Sequence, residues 1–137
     1  MPGSVSSDAR RSLATVTLVV ADYDKAIAWY TEKLGFALES DIDLGGGKRW
    51  ATISAGEGGS RLLLARAEGV TQTAAIGNQA GGRVAFFLET DDFARDYAAM
   101  LAKDVEFKEQ PRHEAYGTVA VFADLCGNLW DLIEPKR

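Results

Sequence analysis

His113 is the only imidazole in the chain, so any proton transfer that needs a histidine near neutral pH must run through it. It sits in Gln110–Gly117, between two stretches of strand pattern. There it reads either as a general acid or base or as an ordinary surface histidine. No serine or cysteine lies near enough in sequence to suggest a nucleophile paired with it. The single cysteine, Cys126, excludes an internal disulfide, fits a reducing cytoplasm and reads as an inert loop thiol. Trp50 and Trp130 raise the prospect of an aromatic wall for a flat ligand. Trp130 alternates with Asp131 along a strand, so if Asp131 faces a pocket then Trp130 faces the core. Trp50 follows a glycine turn and is open to either side. Phe87 shares the strand parity of Arg83 and is a candidate pocket wall. Asn128 sits in a Gly-Asn turn, where an amide bonding its own backbone explains it. The run Gly45–Gly47 is too short, and wrongly placed against a helix, for a phosphate loop.

Charge narrows the partners. With 15 Lys and Arg against 20 Asp and Glu, the net charge is −5, and there is no basic face for nucleic-acid phosphates. No apolar run approaches the ~20 residues of a membrane helix. Arg10-Arg11 precedes an apolar stretch, but the threonines at 15 and 17 and the lack of a small-residue cleavage site argue for a strand rather than an export signal. The length suits one compact domain at 13–137 behind a mobile tail at 1–12.

The elements that must position these side chains come in two similar sets. Thr15–Val20 is rich in β-branched residues and splits into an aliphatic face (Val16, Leu18, Val20) and a mixed face (Thr15, Thr17, Val19). A helix follows, capped by Asp22 or Asp24, carrying Ile27, Tyr30 and Leu34 on one side and ending at Gly35. Strands are expected at 36–43, 49–55 and 61–66. The second set has a strand at 83–89, a helix over about 92–102, and strands near 105–109, 118–123 and 129–134. One constant offset relates the copies: Thr15 answers Arg83 and Leu63 answers Asp131, 68 residues on in each case. The expected class is α+β, two βαβββ units (13–67 and 83–135) joined by a linker at 68–82 with at most one short helical turn.

Three segments together resemble the vicinal oxygen chelate superfamily of glyoxalases, bleomycin-resistance proteins and extradiol dioxygenases. They are Thr15–Tyr30, Lys33–Phe36 and Phe122–Pro135, and the likeness spans nearly the whole chain. The resemblance implies a curled mixed-sheet cup with metal ligands on the first and last strand of each unit. Those positions fall on Thr15, Leu63, Arg83 and Asp131, of which only Asp131 is a credible ligand, so the divalent metal of the superfamily is not expected. It also implies that Arg83 and Asp131 are neighbours inside the cup. Arg83 would then replace the metal's charge, either pairing with Asp131 or holding an anionic or carbonyl-bearing ligand. Tyr116 resembles the aromatic that borders the pocket in this superfamily.

The expected function is binding of a small organic molecule in the cup of a cytoplasmic homodimer, with ligand contacts from Arg83, Asp131, Phe87, Trp50 and Tyr116. The competing reading is a glyoxalase- or dioxygenase-type enzyme, either working through a metal recruited by Asp131, His113 and Glu residues or using His113 or Asp131 as the proton-transfer group. A third is a partner-binding or structural domain with a collapsed cup.

Overall fold

The computed structural model describes residues 10–137, so most of the expected tail lies outside the described residues. The first unit runs β1 (Thr15–Val20), α1 (Tyr23–Lys33), β2 (Ala37–Gly45), β3 (Lys48–Ser54) and β4 (Arg61–Arg66). Its sheet has the order β1-β4-β3-β2, with β1 parallel to β4 and the other pairs antiparallel. The second unit runs β5 (Val84–Glu89), α3 (Phe93–Ala102), β6 (Glu106–Phe107), β7 (Arg112–Glu114), β8 (Gly117–Ala123) and β9 (Leu129–Pro135). Its sheet is ordered β5-β9-β8-β6, with β7 also on β8. The βαβββ doubling is therefore real, with corrections in the second copy. Residues 105–109 hold only a two-residue strand, and the segment of His113 forms the additional strand β7 rather than a loop. The linker contains a seven-residue helix, α2 (Gly69–Ala75).

The helices begin where the sequence offers caps. Asp22 accepts from the Lys25 amide at 2.8 Å, and Asp92 accepts from the Arg95 amide at 3.0 Å. After α1 the chain reverses at Gly35 with φ 71°; after α3 the matching turn is made by Asp104 with φ 62°, without a glycine's freedom.

The aliphatic faces meet in one core. Leu18, Val20 and Leu64 are sealed from solvent, each worth about 1.5–3 kcal/mol of transfer free energy. Tyr30 and Phe36 of the first unit pack their rings against Trp130 of the second, with centroids 5.7 and 5.9 Å away. Trp130 is thus core, as its parity requires. The polar centre of this junction is Asp124, in the β8–β9 turn. Its carboxylate accepts from Tyr30 Oη at 2.5 Å, Asn128 Nδ2 at 3.0 Å, Trp130 Nε1 at 3.4 Å and the amides of Cys126 and Asn128. Asn128 therefore serves the turn by donating to Asp124 rather than to its own backbone. Burial, reinforced by the Asp124 charge, drives the Tyr30 phenol far above its usual range and raises the Cys126 thiol.

The free edge of β1 is covered by one side chain. The Gln79 amide accepts from Val19 N at 2.8 Å and donates to Thr17 O at 2.6 Å, pairing with the strand as a peptide would.

Candidate functional site

With the aliphatic faces turned to the common core, the mixed faces of the two sheets turn away from it. On the first sheet, register sets Thr17 beside Leu63, Leu63 beside Thr52, and Trp50 on the same side opposite Ile42. Trp50 is 42% exposed and Ile42 55% exposed, so Trp50 belongs to the mixed face and not to the core. The inner part of this face is fixed by a 2.6 Å hydrogen bond between Ser40 Oγ and Thr52 Oγ1. A cleft of about 420 Å³ opens here, walled by Leu44, Trp50, Leu63 and Ala65, with Gln72 contributed by α2. A second cleft, of about 470 Å³, is walled by both units, mostly with apolar side chains such as Phe36, Leu62, Phe86 and Trp130.

On the second sheet, Asp131 pairs with Phe87 on one side and Val121 on the other. Phe87 is 63% exposed while Asp131 is 8% exposed. Asp131 Oδ1 is sealed from solvent and has no hydrogen-bond partner among the described residues. Burial raises the Asp131 carboxyl above its usual range; Arg112 opposes the rise and Glu109 adds to it.

The charged neighbour of Asp131 is therefore Arg112, and the expected Arg83–Asp131 pair does not form. A register shift between Val84 and Phe86 places Ala85 as an extra residue in β5. Thr15 faces Arg61, two residues before Leu63, and Val84 faces Leu129, two residues before Asp131. The counterpart of Thr15 is thus Val84, an offset of 69, and the counterpart of Thr17 is Phe87, an offset of 70. Arg83 stands just outside the strand, exposed, with its amide on Ala80 O at 3.3 Å and no ion pair among the described residues.

Arg112 lies across from Val119, on the Asp131 side of β8. Its Nε donates to Glu109 and its Nη1 to Glu114, both at 2.9 Å. Glu109 also accepts from the Val121 amide, and the Arg112 hydrogen bond holds its carboxyl below the usual range. Sequence reasoning missed this cluster. Its signal was the spacing Glu109, Arg112, Glu114 around a proline, which suits a short charged edge strand.

His113 pairs with Thr118, which pairs with Glu134, and so lies on the opposite face of the sheet from Asp131. Its Nδ1 is 3.3 Å from Thr118 Oγ1. His113 and Asp131, the alternative candidates for proton transfer, stand on opposite faces and are not brought together. Tyr116, 55% exposed, lies in the β7–β8 turn, where its carbonyl accepts from the Lys136 amide at 2.9 Å.

Residues 12–132 match the family model of the Glyoxalase/Bleomycin resistance protein/Dioxygenase superfamily. The chain belongs to this superfamily. An uncharacterized protein of Shewanella frigidimarina (strain NCIMB 400) is 50% identical over 127 residues, covering 91% of this chain and 94% of its own. Among solved structures, UcmS2 superposes with a TM-score of 0.79 at 29% identity, covering 92% of this chain and 99% of its own. TnmS3, an antibiotic binding protein from Streptomyces sp. CB03234, superposes at 0.76 with 26% identity, covering 93% and 98%.

Many members of the superfamily hold a divalent metal, and the residues here do not fit one. The positions that correspond in register are Thr15, Leu63, Val84 and Asp131, which supply one carboxylate, one hydroxyl and two aliphatic side chains. Zinc needs about four N, O or S donors and magnesium about six oxygens. Among the described residues, no three His, Cys, Asp or Glu side chains converge on a point.

Proposed function

We propose that this protein binds a small, flat organic molecule between mixed sheet faces supplied by two copies of the chain, without a metal at the superfamily's ligand positions. The observation that carries this reading is the contrast between the faces. The aliphatic faces are closed over a shared core, whereas the mixed face of the first sheet leaves Ile42 and Trp50 exposed and that of the second leaves Phe87 exposed beside the buried Asp131 carboxyl. Exposed aromatics grouped around one polar anchor are the usual make-up of a ligand site, and apolar side chains left open in this way favour association. A second copy would set the Trp50 face of one chain over the Phe87 and Asp131 face of its partner. The likeness to TnmS3, an antibiotic binding protein, supports a small-molecule ligand of that kind.

The register correction removes Arg83 from the anchor and leaves Asp131, Phe87 and Trp50 as the proposed contacts, with Tyr116 at the rim. His113, on the other face, has no part in it. We place the protein in the cytoplasm on its single cysteine; no described helix is long and apolar enough to cross a membrane.

The test is isothermal titration with naphthalene-sized aromatics, together with sedimentation equilibrium. The expected result is a dimer that binds in the presence of EDTA and loses at least tenfold affinity in Trp50→Ala or Phe87→Ala, with the fold of each chain unchanged by circular dichroism because neither side chain is part of its core. Binding that needs an added divalent ion, or that both variants leave intact, would overturn the reading.

A further inference from the structure

Two carboxyl groups of nearly equal burial are treated in opposite ways. Asp124, 6% exposed, receives five hydrogen bonds: from Tyr30 Oη, Asn128 Nδ2, Trp130 Nε1 and the amides of Cys126 and Asn128. Asp131, 8% exposed, receives none from the described residues, and its Oδ1 is the one buried side-chain N or O atom among them without a partner. Such an atom calls for a specific explanation, because an unmet buried acceptor costs about 1–3 kcal/mol, and more when charged.

The surroundings of Asp131 say what would meet it. The nearest guanidinium, Arg112, is already committed to Glu109 and Glu114, so the group holds three carboxyls against one cation. A second carboxylate or a phosphate brought here would add to an existing negative excess. On the other flank is the exposed ring of Phe87, in register with Asp131, which offers a stacking surface at the height of the carboxyl.

Resting on the binding reading above, we propose that Asp131, whose carboxyl no described residue satisfies, selects the ligand by accepting a hydrogen bond from it at Oδ2, the oxygen that is not sealed from solvent. The protein's ligand is then a neutral aromatic with a hydroxyl donor, laid against Phe87, and not the anion that a free arginine would have favoured. The Asp131 face is a donor-reading site built where the superfamily carries a metal ligand.

Three probes of one ring system test this: 2-naphthol, which donates; 2-methoxynaphthalene, which does not; and 2-naphthoate, which is an anion. By titration calorimetry the wild-type protein should bind 2-naphthol about tenfold or more tighter than 2-methoxynaphthalene, the ratio expected for a hydrogen bond to a charged acceptor, with 2-naphthoate weakest. Asp131→Leu should erase the preference. Asp131→Asn, the conservative variant should the leucine fail to fold, should narrow it, because its amide also donates to the ether oxygen. A preference that survives in both variants, or tighter binding of 2-naphthoate, would overturn the inference. Equal binding of naphthol and ether, with both lost in Phe87→Ala, would overturn it while leaving the binding reading intact. No binding of any probe would remove both.

Discussion

Tyr30→Phe deletes one oxygen from the junction between the two units and leaves the ring in place. The phenyl would keep its packing against Trp29, Phe36 and Trp130, at centroid distances of 5.0, 5.5 and 5.7 Å. What disappears is the 2.5 Å hydrogen bond from Oη to the Asp124 carboxylate, across 94 residues of sequence. A hydrogen bond to a charged group is worth about 1.5–3 kcal/mol. Asp124 would keep four donors, so the cost should lie near the lower end, at about 2 kcal/mol. For a chain of this length that corresponds to a fall in Tm of roughly 6–8 °C. Calorimetry or chemical denaturation at pH 7 measures it, and a double-mutant cycle with Asp124→Asn isolates the pairwise part.

The pH dependence supplies an independent check. The phenol is an acid whose folded pKa is raised, so the native state holds its proton more tightly than the unfolded chain does. That contribution to stability is complete below the unfolded value of about 10 and falls as pH rises above it. The advantage of the wild-type protein over Tyr30→Phe should therefore shrink above about pH 10. A Tm difference under about 2 °C at pH 7, or a coupling energy with Asp124 near zero, would refute the idea that this bond joins the units.

Two further substitutions test other parts of the structure. The raised folded pKa of Asp131 means that its ionisation costs stability, a penalty that develops as pH rises above the unfolded value of about 3.9. Asp131→Asn should therefore raise Tm at pH 7, and the gain should fade in acid below about pH 4, as thermal melts at the two pH values would show. Asp104 holds φ 62° where the first unit has Gly35, so Asp104→Gly should stabilise by about 0.5–1 kcal/mol, read as a shift of the urea midpoint at constant slope.

The fold was legible because the features that encode it are local. β-branched runs, aspartate caps and glycine turns specify βαβββ twice, and the alternation of Trp130 with Asp131 correctly sent the indole to the core. The site was legible only where the repeat stayed in step. Leu63 and Asp131 keep their 68-residue offset because the last strand of each unit is regular. The first strand of the second unit is not regular. A bulge adds a residue within one strand while its partner continues unbroken, and no residue type at Ala85 announces it. One extra residue is enough to exchange the faces of a strand, so a repeat alignment carried through it places the wrong side chain beside Asp131. Two slips act in turn: the offset is already 69 at Val84, which leaves Arg83 outside the strand, and the bulge raises it to 70 at Phe87, which sets that ring beside Asp131. The slips change the chemistry. With a guanidinium beside the carboxyl the face would favour anions, whereas an aromatic ring beside the carboxyl is what the proposed reading of a neutral donor requires. Arg112 escaped notice for a related reason. Its segment reads as a loop, and only pairing with β8 aligns it with Val119 on the Asp131 side.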